Sequence, residues 1–137
     1  MTNRVCTIKE IYNCATITSD EPLFPLQVWY NRMIEKTVDE LDASDVLKML
    51  RQNIFVDLAM KTAMHMLQED VFSGELYDGE VLEKLSEINS EFLKPYADEL
   101  KTVVHNASQA CQAHVWGYDG EESEFRDILS KLSVKLL

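Results

Sequence analysis

The chain has 137 residues, with 24 acidic side chains against 13 basic ones and a net charge of -11. That length supports one domain able to fold without staples, and no run approaches the roughly 18 apolar residues of a membrane span. The charge excludes the basic footprint a phosphate backbone needs and disfavours acidic membrane surfaces, while favouring fast association with a basic partner.

The charge is concentrated. Residues 1 to 37 and 94 to 118 are each neutral, whereas residues 38 to 93 set Lys48, Arg51, Lys61 and Lys84 against thirteen acids, a net of -9. The tail from Asp119 adds -2. The N-terminus MTNRVCTIKE carries charges where a signal peptide has its apolar region, so a cytoplasmic protein is expected. Cys6, Cys14 and Cys111 stand at no metal-ligand spacing and read as buried, reduced thiols.

In chain order, Ile8, Ile11, Tyr12 and Ala15 recur at helical spacing and predict a short helix, although Val5, Thr7, Thr16, Ile17 and Thr18 are β-branched and favour strand. Ser19-Asp20-Glu21-Pro22 is a turn. Pro25 opens a helical segment through Ile34 with Val28, Trp29 and Met33 on one side. Thr37-Val38-Asp39-Glu40 has capping-box spacing, and Asp42 caps a helix from about 42 to 52.

The segment from Ile54 to Glu69 places Phe55, Leu58, Ala59, Ala63, Met66 and Leu67 on one stripe, which Met60 and Met64 widen, and this helix should be central. Its methionines read as core filler, with a pliable binding groove as the alternative. Asp70 to Gly79 is a structured loop, because Gly74 and Gly79 stop the helix and allow turns. A helix from Asp78 or Gly79 to about Asn89 turns Val81, Leu82, Leu85 and Ile88 inward. Ser90 to Leu93 is a turn, and a long helix runs from Pro95 to about Ala113 with Leu100, Val103, Ala107 and Cys111 on one face. Gly117 and Gly120 end it, and Phe125, Ile128, Leu129 and Leu132 space the last helix. With no internal repeat at a 20 to 50 residue period and no linker, the fold class is all-α, a single-domain bundle of five to seven helices spanning 1–137.

Chemistry is sparse. Gly74, Gly79, Gly117 and Gly120 fit no nucleotide fingerprint, and the Asp70 to Glu75 stretch fails as a calcium loop because Phe72 and Gly74 occupy ligand positions. His65 reads as a core or boundary histidine, and Cys111 with His114, three apart on one helix face, is a weak metal pair. Neighbouring carboxylates such as Glu69 with Asp70 read as a solvated acidic face, so no enzyme and no cofactor are expected. What remains is a surface: Tyr77 among Glu75, Asp78 and Glu80, and Trp116 and Tyr118 beside Asp119, Glu121 and Glu122, join aromatic anchors to carboxylates. On sequence alone these aromatics serve equally well as half-buried core.

The run from Leu41 to Phe92 resembles the small helical immunity proteins of bacterial contact-dependent growth inhibition systems. The resemblance is carried by Lys36-Thr37-Val38-Asp39-Glu40-Leu41, Asp45 leading to Leu50-Arg51-Gln52, Phe72-Ser73-Gly74-Glu75-Leu76-Tyr77-Asp78-Gly79-Glu80, and Leu82, Leu85 and Phe92. The first forty residues and the tail after Pro95 add little to it. It implies a cytoplasmic antidote that binds the C-terminal domain of a cognate toxin, often a nuclease with a basic cleft, and blocks it. Toxin-contacting residues do not transfer, and Arg51 and Gln52 are expected to tie a helix end to the Gly74 to Gly79 loop. The partner-binding candidates are therefore Glu69, Asp70, Glu75, Tyr77, Asp78, Glu80, Trp116, Tyr118, Asp119, Glu121 and Glu122, with neither nucleic acid nor membrane as partner. The alternative is an acidic adaptor or regulatory domain that binds a host protein.

Overall fold

The computed structural model describes residues 6–137, so Val5 of the ambiguous N-terminal stretch lies outside it. Among the described residues there are seven α-helices and, in place of strands, one isolated bridge between Thr7 and Thr37. The fold is all-α.

Helix α1 (Ile8–Tyr12) is one turn long. Thr7 and Glu10 cap it reciprocally, Asn13 ends it in the left-handed region, and Ile8 is fully buried. Ala15 and the β-branched residues Thr16 to Thr18 fall beyond it, where the Asn31 side chain clasps Ile17 by accepting from its N–H at 2.7 Å and donating to its carbonyl at 3.0 Å. Helix α2 (Pro25–Met33) starts on proline as expected. Met33 is buried and Trp29 half-buried, but Val28 is exposed: the inward stripe is narrower than its spacing suggested.

Between α2 and helix α3 (Ala43–Gln52) lies a polar node. Asp45 is only 3 % exposed and takes the Lys36 ammonium at 2.6 Å and the Trp29 indole N–H at 2.9 Å. Its partner in the α3 capping box, Asp42, accepts the Asp45 N–H at 2.9 Å. Burial alone would raise the Asp45 carboxyl, but the bonds from Lys36, Trp29 and the Asp42 backbone outweigh it and hold the group below its usual range. One carboxylate thus joins α2, the following turn and α3.

Helix α4 (Val56–Glu69) packs against α3, against α5 (Glu80–Glu87) and against α6 (Ala97–Ala110), which makes it the central helix. Met60 and Met64 are 1 % and 2 % exposed, so they are core and form no open groove. His65, by contrast, is exposed on the outer face, against the expectation of a core or boundary position, and meets Glu69 one turn on. Helix α6 begins two residues after Pro95, because that proline sits in a 3-10 turn, Lys94–Tyr96, and it ends at Ala110. Cys111 and His114 therefore do not share a helix face, and no described group of three or more His, Cys, Asp or Glu could hold a metal ion.

Helix α7 (Glu121–Lys135) closes the bundle over α5 and α6, with Phe125, Leu129 and Leu132 buried. Each such side chain contributes about 1.5 to 3 kcal/mol by leaving water. Of the three cysteines only Cys111 is buried, and burial pushes its thiol up; Cys14 is half-buried and Cys6 exposed, contrary to the expectation for both. No described helix is long and apolar enough to cross a membrane.

Because the Asp45 pKa is lowered on folding, its contribution is full above the unfolded carboxylate value of about 4 and is lost as pH falls through the lower folded value. Asp45→Asn should flatten that acidic limb in urea unfolding measured across pH. Asp45→Ala, which strands the Trp29 N–H and a partly exposed Lys36, should cost about 2 to 3 kcal/mol at neutral pH.

Candidate partner-binding site

The Asp70 to Gly79 loop is closed by its own backbone. The Gly79 N–H reaches the Phe72 carbonyl at 2.9 Å and the Val81 N–H the Ser73 carbonyl at 3.1 Å, while the Asp70 side-chain carboxylate accepts the Phe72 N–H at 2.9 Å. Glu80 completes the ring from inside: one carboxylate oxygen accepts both the Glu75 N–H at 2.8 Å and the Leu76 N–H at 2.9 Å. Both loop glycines are required by space. A Cβ at Gly74 would stand 2.1 Å from the Tyr77 carbonyl, and one at Gly79, which caps α5 at φ +85°, would stand 2.6 Å from the Phe125 ring.

Opposite lies the corner that leads into α7. The Trp116 indole donates to the Cys111 carbonyl at 3.2 Å, Glu121 accepts the Gly117 N–H at 2.6 Å, and Gly120 caps α7 at φ +94°. A ring cluster joins corner to loop: Phe72 stacks on His114 at 3.8 Å, and Trp116 and Phe125 meet Phe72 at 5.5 and 5.3 Å. His114 Nε2 lies 2.8 Å from Asp78 Oδ2, tying the corner to the tip of the loop.

Together they enclose an open cleft of about 270 Å³ on the surface between α5 and α7. Tyr77 and Tyr118 line it, Asp78, Glu83, Glu121 and Glu124 supply its carboxylates, and Phe125 and Ile128 form its apolar base. The Tyr77 hydroxyl donates to Glu83 at 2.9 Å, and that of Tyr118 donates to Glu124. Both phenols are pushed up to about 12, Tyr77 by burial and then by Glu83, Tyr118 by its bond to Glu124 and then by burial. They stay neutral donors at every physiological pH.

Of the candidates named from sequence, Tyr77, Asp78, Tyr118 and Glu121 come together in this cleft. Trp116 lies half-buried in the ring cluster, and Glu122 is paired with Arg126 at 3.1 Å. Glu75 and Asp119 are exposed outside the cleft lining, as are Glu69 and Asp70, which belong to the end of α4. Glu80 is turned inward, 7 % exposed, and serves as the anchor of the loop. Arg51 and Gln52, expected to tie a helix end to this loop, are exposed; Glu80 does that work instead.

Glu83, Glu124, Phe125, Ile128 and His114 were missed, yet one signal pointed to the first two. Tyr77-Asp78-Gly79-Glu80-Val81-Leu82-Glu83 and Tyr118-Asp119-Gly120-Glu121-Glu122-Ser123-Glu124 share a Tyr-Asp-Gly-Glu-x-x-Glu pattern. In both copies the glycine caps a helix in the left-handed region, the first glutamate accepts upstream backbone N–H groups, and the tyrosine hydroxyl reaches the second glutamate. The copies begin 41 residues apart, inside the 20 to 50 residue window, but they match over only seven residues, too few to read as a repeat unit.

Glu80→Ala should cost about 2 to 3 kcal/mol and sharply raise amide hydrogen exchange at Glu75 and Leu76, since it leaves two donors without their acceptor. Glu80→Gln, whose amide oxygen can still accept both, should keep most of that protection.

No match is found among curated proteins. The family model of the CDI immunity proteins matches residues 10–103, more than half of the chain and wider than the stretch from Leu41 to Phe92 that carried the resemblance. It takes in the Lys36–Asp45 node, central helix α4, the whole Glu80-anchored loop and α5, and ends inside α6 before the Tyr118 corner. The chain belongs to the family of immunity proteins of contact-dependent growth inhibition.

Proposed function

We propose that this protein is the cytoplasmic antidote to one CDI toxin, and that it holds the toxin's C-terminal domain against the acidic face where α5 and α7 begin. It acts by binding, without catalysis or a cofactor. The observation that carries the reading is the cleft itself: tyrosines and carboxylates held in place on a rigid frame, in a chain of net charge -11. A nuclease domain supports such a pairing, because a cleft that grips phosphates is basic and is attracted to an acidic surface standing in for them. A complex of ordinary size would bury roughly 1,600 Å², far more than the cleft alone. The surrounding surface therefore belongs to the contact, and Leu76, 79 % exposed, and Val115, 88 % exposed, offer apolar area beside the loop tip and the corner. The adaptor alternative looked to the methionines of α4, of which Met60 and Met64 are enclosed and Met66 is half-buried.

The test is co-expression with the C-terminal domain of the protein encoded immediately upstream, followed by affinity measurements at low and moderate salt. The complex should be tight, should weaken steeply as salt rises, and should restore growth. Asp78→Lys with Asp119→Lys, both on exposed turns, should weaken binding at least about tenfold, largely through slower association. Binding unchanged by salt and by charge reversal would remove the acidic face from the contact.

A further inference from the structure

We propose that His114 is the positioning residue of the partner-binding face, and that its bond to Asp78 locks the tip of the 70–79 loop onto the corner before α7 ahead of any partner. The role in binding rests on the antidote reading, whereas the lock is a property of the free chain.

The donor is held in advance. A carboxylate can only accept, so the imidazole donates its Nε2 proton to Asp78 across 2.8 Å. Its ring lies on Phe72, with centroids 3.8 Å and planes 20° apart, and meets Trp116 edge-on at 4.5 Å. The His114 side chain is 21 % exposed against 53 % for Asp78. A pair of mobile surface side chains gains little from meeting, because ordering both of them offsets the bond. Here ring packing has already ordered the donor, and the bond has only a short aspartate left to immobilise.

No other hydrogen bond crosses at this place. Among the described residues it alone joins the 70–79 loop to the 111–120 corner, since the Trp116 indole and the Gly117 N–H turn back to Cys111 and Glu121. Glu80 holds the loop from inside at Glu75 and Leu76, and the Gly79 N–H goes to the Phe72 carbonyl. Those bonds set the curvature of the loop without reaching the corner. The Phe72 ring does reach it, but at the start of the loop, well before the tip.

The second Tyr-Asp-Gly-Glu turn shows that the bond is not needed to make the turn. Asp119 takes the place of Asp78 there, exposed and with no histidine bonded to it. Gly120 is nevertheless left-handed, Tyr118 reaches Glu124, and Glu121 accepts the Gly117 N–H. What His114 adds is the relation between the two turns: it sets the Tyr77 side of the cleft against the Tyr118 side. It also couples a loop inside the family-matching segment to a corner outside it. A partner then meets both segments already in place, and the ordering cost it is spared corresponds to about three- to tenfold in affinity.

His114→Phe keeps a ring against Phe72 and Trp116 while removing the donor. Asp78→Ala breaks the same bond from the exposed side and serves if the first variant fails to fold. In the free chain, thermal unfolding of both should stay near that of the wild type. Amide exchange at Gly79 should rise at least about threefold, while Glu75 and Leu76, held by Glu80, keep their protection. Asp78→Asn, whose amide oxygen still accepts from Nε2, should leave Gly79 exchange at the wild-type rate, which a general loosening of the loop would not. Combining His114→Phe with Asp78→Ala should raise exchange no further than either alone. Affinity of His114→Phe for the upstream-encoded toxin domain should fall about three- to tenfold with its salt dependence unchanged, because no carboxylate is lost. If Gly79 exchange is unchanged in both single variants, the lock is overturned whether or not the toxin binds. If exchange rises but His114→Phe binds the toxin as tightly as the wild type, the positioning role is overturned and the antidote reading stands. If the wild-type chain does not bind the toxin, the antidote reading and the positioning role fall together, while the exchange rates still decide the lock.

Discussion

The candidate site depends on one buried carboxylate. Glu80 sits in the first turn of α5, where the helix end favours negative charge, and its oxygen gathers the Glu75 and Leu76 N–H groups. Two backbone donors are thereby withdrawn from water and aimed at one point, which fixes the curvature of the loop. Everything at the loop tip follows. Gly79 must then turn left-handed against Phe125, the Tyr77 hydroxyl reaches Glu83, and Asp78 projects to His114. An acid that looked like surface charge in the sequence is the keystone from which the surface charges are hung.

A second buried carboxylate has the same role at the other end. Asp45 gathers Lys36 and Trp29 and so sets α2 and its following turn against α3. Both acids lie in helix first turns and both lie within residues 10–103, the part of the chain that matches the immunity family. The frame of the molecule is in that segment, while the Tyr118 half of the cleft lies outside it. A protein that must hold a specific partner benefits from this division: a rigid scaffold sets positions, and the rim supplies the chemistry that meets the partner.

Much of the fold was legible. Apolar residues at helical spacing located α2 through α7, proline and glycine marked the breaks, and Asp42 announced its own helix, because those signals are local and act within a few residues. The site was only half legible. Tyr77, Asp78, Tyr118 and Glu121, which line the candidate cleft, were named from aromatic and acidic composition, but composition cannot tell an inward acid from an outward one, so Glu80 was placed with the exposed carboxylates. Its orientation is decided by backbone donors four and five residues upstream. His114 and Ile128 join the site only through the packing of the corner and α7 on the loop, a long-range event without a local trace. His65 shows the reverse error: a neighbourhood of methionines made it look enclosed, although its own position on α4 faces outward.

The central claim is that the toxin meets the face shared by the 70–79 loop and the 116–124 corner. Hydrogen–deuterium exchange on the wild-type chain, free and bound to the upstream-encoded toxin domain, reads this directly. Protection should concentrate in these two segments, and the exposed face of α2 should exchange as in the free protein. Protection confined to α1 and α2, with the loop and corner unaffected, would contradict the account.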